Sequence, residues 1–364
     1  MLSRMVNSMI RSDKWLIYGA YGFTGAWIAR EAVRLGLRPI LAGRRTSPLE
    51  QLAHELGGER RAFDLSQPTV IKEALNDCRL VLNCAGPFSQ TAEAIINACL
   101  ETGTAYLDIT GEIDVLESIA QHHDVAVQRG VPLIPAVGFD VVPTDAMAVL
   151  LKQSLPSATS LALVLTGTGS LSFGTTRTII ETCQKGGRIR QNGQIITVPL
   201  GWKRRRISFR SKRLWAMTVP WGDVATAWYS TGIPNIEVYL AMPLWTIIVV
   251  RLFFPKRLYR SFRPDLRGME PLVRRLLGLP PAGKASKKID LWGCVADDHG
   301  RSKIATMQTP DGYQLTVQTA LAAVKTLLDS DLPGGFFTPT QAFGVDFALH
   351  TEGVDFRYED ASVS

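Results

Sequence analysis

The sequence predicts an α/β protein: a Rossmann-type, doubly wound parallel sheet followed by an α+β domain with an antiparallel sheet. Up to about residue 148, short apolar runs alternate with helix-compatible segments, which is typical of a parallel sheet. Beyond Ser160, short strands follow one another without a helix between each pair. We therefore expect a cofactor domain over 1–148, of which 1–13 is a frayed extension, and a substrate or dimer domain over 149–330. A C-terminal segment, 331–364, is expected to pack back on the first domain.

The stretch WLIYGAYGFTG, from Trp15 to Gly25, reads as a strand, a tight turn and the start of a helix. Its glycines have the spacing GxxGxxG. Such glycines let backbone amides at a helix N-terminus approach a pyrophosphate, because no Cβ intervenes. The strand and helix around the turn strengthen a motif that is weak by itself. We predict that the dinucleotide contacts are Gly19, Ala20, Tyr21, Gly22, Phe23, Thr24 and Gly25.

The second predicted strand, from Arg38 to Ala42, is followed by Arg44 and Arg45. About 20 residues past the glycines, an NAD-binding fold places an acid that binds the ribose 2′-hydroxyl. Arginines at this place favour a 2′-phosphate, since guanidinium matches phosphate geometry. The predicted cofactor is therefore NADP(H), and the alternative is that the two arginines are a solvated loop pair. Asp64, at the end of a third short strand, is predicted to lie near the adenine.

The fourth predicted strand ends in VLNCAGPF, a small-residue turn. In a doubly wound sheet this carboxyl edge is where ligands bind. Asn83 is the polar residue that we place against the ribose or nicotinamide half of the cofactor, with Ala85, Gly86 and Pro87 in the same turn. A fifth strand, within GTAYLDITGE, and further helices lead to the segment VPLIPAVGFDVVPTD.

The second half shows short strand patterns and hairpin signals. Asn192 and Gly193 are the commonest type of hairpin turn, and Asp297 to Gly300 suits another. The loop from Gly167 to Cys183 is rich in small and hydroxyl residues, which suits either a substrate-facing loop or a capped helix. The predicted strands are Leu161–Leu165, Ile195–Val198, Ile236–Leu240, Ile289–Val295, Ser302–Met307 and Tyr313–Val317.

The motifs GAYGFTG, AGR, VLNCAGPF, YLDITGE and GFDVVPTD together resemble the saccharopine dehydrogenase-like oxidoreductases, including the trans-acting enoyl reductases. The late segment GGFFTPTQAFG is similar to that group's closing motif, so the resemblance spans nearly the whole chain. It implies that Gly19 to Gly25 and Arg44 bind NADP(H). It also implies that the Asn83 loop and the loop from Gly138 to Asp145, with Phe139, line the nicotinamide side. No catalytic residue carries over, because the family's motifs are mostly backbone and cofactor motifs.

The resemblance implies an NADPH-dependent reductase of an enoyl or carbonyl group. The polar residues to test as catalytic groups are Tyr106, Asp108 and Asp140, and for each the alternative is a hydrogen-bonded strand end or helix cap. The sequence has no YxxxK pair, HExxH or GxSxG. Two other functions stay open: a non-catalytic NADP(H)-binding protein docked on membranes or partners, and a saccharopine-type amino-acid dehydrogenase, which Arg177 favours.

Two segments of the second half are unusual. Trp202 to Arg213 carries seven Lys or Arg and no acid, and Pro243 to Phe254 is nearly all apolar. As a helix the apolar run is roughly 18 Å long, too short for a hydrocarbon core of about 30 Å. It suits a membrane interface or a lipid-binding cleft, and equally a buried core or homodimer helix. On the first reading, anionic-lipid contacts would come from Lys256, Arg257, Arg260 and Arg263.

Composition limits the remaining classes. The net charge is +7, and no base-reading motif accompanies the basic run, so nucleic acid is a poor fit as a partner. The five cysteines are an odd number without a CxxC pair, which predicts neither a disulfide framework nor a metal site. We expect a cytoplasmic protein, peripheral on a membrane if the apolar run is exposed, with a lipid-like small molecule as substrate.

Overall fold

The fold was examined in a computed structural model, which describes residues 13–166, 186–209, 212–253 and 288–359. The chain divides into two compact units, each built from three segments. Unit 1 contains Met1–Thr110, Glu117–Gly138 and Thr316–Phe337, and unit 2 contains the rest. The loop from Gly167 to Cys183, with Arg177, and the basic residues Lys256 to Arg263 lie outside the described residues.

Unit 1 is built on a parallel sheet in which seven strands are described. The strands in chain order are β1 (Trp15–Tyr18), β2 (Pro39–Gly43), β3 (Arg60–Ala62), β4 (Leu80–Asn83), β5 (Ala105–Asp108), β6 (Pro132–Ile134) and β15 (Gly335–Phe336). The helices between them are α1 (Phe23–Arg34), α2 (Thr46–Leu56), α3 (Pro68–Leu75), α4 (Ala92–Thr102), α5 (Ile113–Ala120) and α6 (His123–Arg129).

The strand order in this sheet is β15-β6-β5-β4-β1-β2-β3. The chain therefore runs outward from β1 to β3, returns to the other side at β4, and continues outward through β5 and β6. Such a reversal leaves a crevice at the carboxyl ends of β1 and β4. Both strands are buried along their whole length, as expected for central strands that helices cover on both faces. The predicted Rossmann-type sheet is confirmed.

Unit 2 contains a sheet with nine strands in the described ranges. They are β7 (Ser160–Leu165), β8 (Gly187–Gln191), β9 (Gln194–Val198), β10 (Arg204–Phe209), β11 (Lys212–Thr218), β12 (Asn235–Ala241), β13 (Ile289–Ala296), β14 (Ser302–Thr309) and β16 (Asp355–Glu359). Its helices are α7 (Val142–Ser154), α8 (Asp223–Thr231), α9 (Leu244–Phe253), α11 (Pro339–Phe343) and α12 (Asp346–Leu349), while α10 (Gly312–Asp329) contributes residues to both units.

The second sheet is mixed rather than purely antiparallel. Its main path is β10-β11-β12-β7-β13-β14-β16, and β7 pairs with β12 in parallel, whereas the other pairs are antiparallel. The Asn192-Gly193 turn is confirmed, with φ of 50° and 78°, the left-handed pair that a tight hairpin between β8 and β9 needs. The turn over Asp297 to Gly300 is confirmed between β13 and β14.

The predicted strand over Tyr313 to Val317 is wrong, because these residues lie in the first turns of α10. Asp311 caps that helix: its Oδ1 accepts hydrogen bonds from the backbone amides of Tyr313, at 2.9 Å, and Gln314, at 3.4 Å. An Asp before a helix satisfies amides that otherwise lack partners. The alternation of apolar and polar residues in this segment indicated a strand, but the N-terminal cap by Asp311 favours a helix.

Helix α7 packs on the second sheet at a glycine. A Cβ on Gly293 of β13 would lie 2.6 Å from the Met147 sulfur and 2.8 Å from Leu151 Cδ1. Both side chains are fully buried. The absence of a side chain at position 293 therefore lets α7 lie directly on the sheet, which fixes the residues at its N-terminal end.

Candidate functional site

The glycine turn after β1 is held by the neighbouring strand. The amides of Gly19 and Ala20 both donate to the Ala42 carbonyl, at 2.8 and 3.0 Å, and the amide of Gly22 donates to the Gly19 carbonyl at 2.9 Å. Gly19 has a φ of +83°, which glycine adopts far more readily than other residues. Helix α1 starts immediately afterwards at Phe23, and no side chain caps its N-terminus.

The turn has no room for side chains at its three glycines. A Cβ on Gly25 would lie 2.3 Å from the Gly19 carbonyl oxygen, one on Gly19 would lie 2.9 Å from Ala85, and one on Gly22 would lie 3.1 Å from the Gly19 oxygen. The turn after β1 therefore approaches Ala85, in the turn after β4, through the bare backbone of Gly19. This is the arrangement that lets a dinucleotide pyrophosphate approach the N-terminus of α1. The residues present thus fit the predicted cofactor.

Tyr21 and the segment after β2 form one side of the predicted ribose site. A Cβ on Gly43 would lie 2.6 Å from Tyr21 Cε1, so the phenol ring lies directly on that glycine. The Arg45 guanidinium lies over the Tyr21 ring, 5.0 Å from its centroid, and the Arg45 amide donates to the Tyr21 hydroxyl at 3.2 Å. The ring therefore orders the turn that carries both arginines.

Arg44 is exposed, and no ion pair to it occurs in the part of the chain that the structure describes. Its charge contributes to the lowered pKa of Asp64, although the hydrogen bonds from Ser66 contribute more. Asp64 lies two residues past β3, where its Oδ1 accepts from the Ser66 amide at 2.8 Å. The arginine and the carboxylate thus lie near one another at the edge predicted to receive the adenosine half of the cofactor.

Asn83 ends β4, and all its side-chain bonds are made inside unit 1. Its Nδ2 donates to Thr91 Oγ1 at 3.1 Å and to the Tyr106 hydroxyl at 3.3 Å, and its Oδ1 accepts from the Ala85 amide at 3.0 Å. Thr91 in turn donates to the Ala85 carbonyl at 2.7 Å. The buried amide therefore shapes the turn of Ala85, Gly86 and Pro87, and this turn presents backbone rather than the Asn83 side chain.

Tyr106 and Asp108 form a buried network on β5. The Tyr106 hydroxyl donates to Asp108 Oδ2 at 2.8 Å, and Asp108 Oδ1 accepts from the amides of Thr110, at 2.9 Å, and Ala136, at 2.8 Å. Both side chains are fully buried. Burial and the Asp108 charge hold the pKa of Tyr106 well above its usual value, so the phenol keeps its proton. Ala136 has a φ of 60°, and the bond from its amide helps to hold this uncommon conformation.

The third candidate, Asp140, belongs to unit 2 and is only partly buried. Its Oδ2 would lie 2.8 Å from a Cβ on Gly111, and its carbonyl accepts from Trp221 Nε1 at 2.8 Å. Burial raises the pKa of Asp140 to about 6. A carboxyl group with such a pKa exchanges protons near neutral pH, as a general acid must. Phe139, the residue before it, is buried against Gly312.

Unit 2 contains two more buried carboxyl groups in the same cluster as Asp140, those of Asp145 and Asp223. Asp145 accepts from the Ser230 hydroxyl at 2.5 Å and from the Thr340 amide at 3.0 Å. Asp223 is fully buried at the start of α8, and neither of its oxygens has a hydrogen-bond partner among the residues that the structure describes. The nearby Thr144 hydroxyl donates instead to the Val141 carbonyl, at 3.1 Å. Burial first, and then the charges of Asp145 and Asp140, hold the pKa of Asp223 well above its usual value.

The segments that carry these acids meet around two glycines of unit 2. A Cβ on Gly222 would lie 3.0 Å from Val141 Cγ2 and 3.4 Å from the Gly111 carbonyl oxygen. Gly111 follows Asp108 by three residues along the chain, and Asp140 follows the end of β6 by six. Among the described residues, no group of three or more His, Cys, Asp or Glu side chains is arranged to hold a metal ion.

The structure thus brings Tyr106 and Asp108 together in one network and places Asp140 in a separate cluster. Sequence reasoning missed Asp223, the buried acid without a hydrogen-bond partner. The only local signal was the tripeptide Trp221-Gly222-Asp223 before a helix, which indicates an ordinary helix start. Burial of the Asp223 carboxyl depends on contacts with α7, which a local pattern does not encode.

Comparison with known proteins identifies the first part of the chain. Residues 15–134 match the family model for the saccharopine dehydrogenase NADP binding domain. The match covers β1 to β6 of unit 1, and NADP(H) is the cofactor of such domains, as the arginines after β2 predict. The chain thus carries the NADP-binding domain of an oxidoreductase family.

Curated relatives match over a similar stretch. The chain is 33% identical over 150 residues to a mouse saccharopine dehydrogenase-like oxidoreductase, covering 36% of this chain and 35% of the mouse protein. It is 34% identical over 138 residues to the trans-acting enoyl reductase of Mycobacterium leprae (strain TN), covering 36% and 33%. A Caenorhabditis elegans lipid droplet localized protein is 31% identical over 186 residues, covering 45% and 43%. The matched stretches span less than half of each relative.

One solved structure resembles nearly all of the chain. The saccharopine dehydrogenase (L-Glu forming) of Saccharomyces cerevisiae has a TM-score of 0.67, with 95% of this chain and 99% of that one covered. The sequence identity is 11%, so the likeness shows the fold alone. The saccharopine dehydrogenase fold therefore extends beyond the matched NADP-binding domain to the mixed sheet of unit 2.

Proposed function

We propose that this protein is an NADPH-dependent reductase of an enoyl, or alternatively a carbonyl, group in a hydrophobic, lipid-like substrate. The observation that carries the proposal is Asp140, an acid whose pKa burial raises to about 6, in a chain that also holds an NADP-binding domain. Reduction of an enoyl group needs one hydride and one proton. The relative named trans-acting enoyl reductase supports the reaction class, and the exposed apolar side of α9 supports a lipid-like substrate.

In the proposed reaction, NADPH supplies the hydride when it is bound. Asp140 donates the proton from its carboxyl group to the α-carbon of an enoyl substrate, or to the oxygen of a carbonyl substrate. The carboxylate that remains takes up a proton from water, because Asp140 is only partly buried. The raised pKa of Asp223 favours its neutral form, which adds no like charge beside the Asp140 carboxylate.

The test is single-turnover reduction with NADPH that carries deuterium at C4. A panel of trans-2-enoyl thioesters and matching ketones of increasing chain length is mixed with the purified full chain. We expect deuterium at the β-carbon of the long-chain enoyl product, found by mass spectrometry. Asp140→Asn should slow transfer by about 100- to 10,000-fold without weakening NADPH binding. Asp124→Asn, an exposed acid on α6, is the matched control and should leave the rate unchanged.

Other outcomes would replace the proposal. NADPH binding without deuterium transfer to any enoyl or carbonyl substrate would favour a non-catalytic NADP(H)-binding protein. Reduction of NADP⁺ by saccharopine, with none by the lipid panel, would favour an amino-acid dehydrogenase. A normal rate in Asp140→Asn, with transfer intact, would leave the reductase in place and remove Asp140 as the proton donor.

The role of Arg44 is tested separately from the reaction. Arg44→Ser should weaken NADPH binding by about 10- to 100-fold and leave NADH binding unchanged, because a guanidinium binds the 2′-phosphate that NADH lacks. Binding is measured by nicotinamide fluorescence. Arg38→Ser, an equally exposed arginine beside β2, is the matched control. Equal losses in the two variants would show that Arg44 acts only through general charge.

A further inference from the structure

Helix α9 has one buried and one exposed apolar side. Thr246 and Ile247 are fully buried and Val250 nearly so, whereas Trp245, Ile248 and Leu252 are 55%, 44% and 70% exposed. The exposed residues have the spacing i, i+3 and i+7, so they form one stripe along the helix. Three large apolar side chains on ten residues of one helix are more than the scattered exposure that is usual on a protein surface.

The neighbouring sheet face is basic. In the β10–β11 pair, Arg206 is opposite Trp215 and Arg204 is opposite Met217, so all four side chains lie on the same face. Trp215 and Met217 pack in the cluster that also buries Ile247 and Val250 of α9. Arg204 and Arg206 are therefore on the face of the sheet that α9 covers, and both are exposed.

The side chains of these arginines are held by the Trp215 ring, and not by an acid among the described residues. The guanidinium carbons of Arg204 and Arg206 lie 5.6 and 5.9 Å from the centroid of the Trp215 ring. Arg251 of α9 lies against Gly201, where an added Cβ would meet its Cγ at 3.3 Å. From residue 199 to 222, and through α9, the sequence contains no Asp or Glu. The positive charge beside the apolar stripe is thus not neutralised by its own strands or helix.

We propose that Trp245, Ile248 and Leu252, together with Arg204, Arg206 and Arg251, form a surface that docks on the headgroup region of an anionic lipid bilayer. We call it the α9 surface. An apolar helix stripe flanked by arginines is the pattern of interfacial attachment, in which side chains enter the acyl boundary and cations bind anionic headgroups. Tryptophan is favoured at this depth because its ring is apolar and its N–H is polar.

The length of α9 favours a helix that lies on the bilayer surface over one that crosses the bilayer. With ten residues, α9 is about 15 Å long, half of a hydrocarbon core of about 30 Å. Within the described ranges, every helix is too short or too polar to span a membrane. A second copy of the chain is a weaker fit as occupant, since two such basic surfaces placed face to face would repel one another.

The test uses the full chain and large unilamellar vesicles, in a sedimentation assay without substrate or NADPH. Its outcome is therefore independent of the proposed reaction. Vesicles of phosphatidylcholine and phosphatidylserine at about 7:3 should bind the protein at least about 10-fold more tightly than phosphatidylcholine alone, and salt should weaken binding. Tryptophan emission should shift to shorter wavelength on binding, because Trp245 leaves water.

The apolar part is tested with Trp245→Ser, Ile248→Ser and Leu252→Ser in one variant, which should lose at least about 10-fold in vesicle affinity. Val125→Ser with Val127→Ser, at positions 44% and 50% exposed on α6, is the matched control and should bind as the wild type does. All five positions are exposed, and circular dichroism checks that both variants are folded.

The basic part is tested with Arg204→Gln and Arg206→Gln, which should lower affinity for the anionic vesicles by about 10- to 30-fold. Arg38→Gln with Arg129→Gln, two exposed arginines of unit 1, is the control. Wild-type vesicle binding by both folded test variants would overturn the proposal. So would the finding that the apolar variant abolishes a dimer of the wild type, measured by analytical ultracentrifugation, while vesicle binding stays unchanged.

Discussion

Two fully buried aspartates, one in each unit, have opposite surroundings. Asp108 accepts three hydrogen bonds, from the amides of Thr110 and Ala136 and from the Tyr106 hydroxyl. Asp223 accepts none from the described parts of the chain and lies near two other acids. Burial alone therefore does not reveal what a carboxyl group does. A carboxylate that satisfies several donors joins segments of the fold, whereas burial without such donors raises the pKa of a carboxyl group and favours its protonated form.

This difference separates the residues that the sequence proposed as catalytic. Tyr106 and Asp108 are hydrogen-bonded to each other, to the Asn83 side chain and to backbone amides, so they hold the carboxyl edge of β5 together. Asp140 lies in the cluster of unit 2 that also contains Asp223. Fewer hydrogen bonds are described within this cluster than around Asp108. Substitutions at the four positions should therefore affect stability in different directions.

The largest effect is expected from Asp108→Ala, which leaves three buried donors without an acceptor. At about 1–3 kcal/mol for each donor, the loss of stability should be at least about 3 kcal/mol. Hydrogen exchange of the β5 amides, measured by mass spectrometry, reports the free energy of opening. Asp108→Asn is the control: it keeps an oxygen for the two amides and should lose much less. Equal losses in both variants would contradict the hydrogen-bond account.

Asp223→Asn should act in the opposite direction and stabilise the protein at pH 7. The folded-state pKa of Asp223 is raised above the ordinary 3.8, so folding is favoured below that pH and the contribution is lost as the pH rises. Asparagine does not titrate and avoids this loss. The gain should disappear near pH 4, which hydrogen exchange of the α8 amides at the two pH values would show. Destabilisation at pH 7 would indicate that Asp223 has a partner in solution.

The third aspartate, Asp140, is tested with Asp140→Asn. Its folded-state pKa is about 6 against an ordinary 3.8, so its contribution to stability is present below pH 3.8 and is lost as the pH rises through 6. The variant should be more stable than the wild type at pH 7 by no more than about 3 kcal/mol, from a shift of roughly two pKa units. Urea unfolding from pH 4 to pH 7 measures the difference. A constant difference across this range would mean that Asp140 titrates normally.

Tyr106→Phe should have the smallest effect. It removes one of the three donors to Asp108 and leaves the two amides in place, so a loss of about 1–2 kcal/mol is expected. The β5 amides again report the opening free energy. In an Asp108→Ala background the same substitution should cost less, because only the hydrogen bond from Asn83 Nδ2 remains to be lost. Full additivity of the two substitutions would show that Tyr106 acts through other contacts.

The sequence predicted those parts of the molecule that local chemistry determines. The glycine turn after β1, the arginines after β2 and the Asn192-Gly193 hairpin each depend on a few neighbouring residues. The strand predicted at Tyr313 failed because the cap from Asp311 outweighed the apolar alternation. The burial of Asp223 could not be predicted from the local sequence, because it depends on the packing of α7, α8 and the segment at Gly111 against one another.

The short strand β15 has a consequence for the solubility of truncated forms. It adds Gly335 and Phe336 in parallel to β6, and the amides of Gly335 and Phe337 donate to the carbonyls of Val131 and Leu133 at 3.0 Å. A chain cut before β15 would leave the edge of β6 open to pairing with strands of other molecules. Such a fragment should self-associate, even though it contains every strand matched by the NADP-binding family.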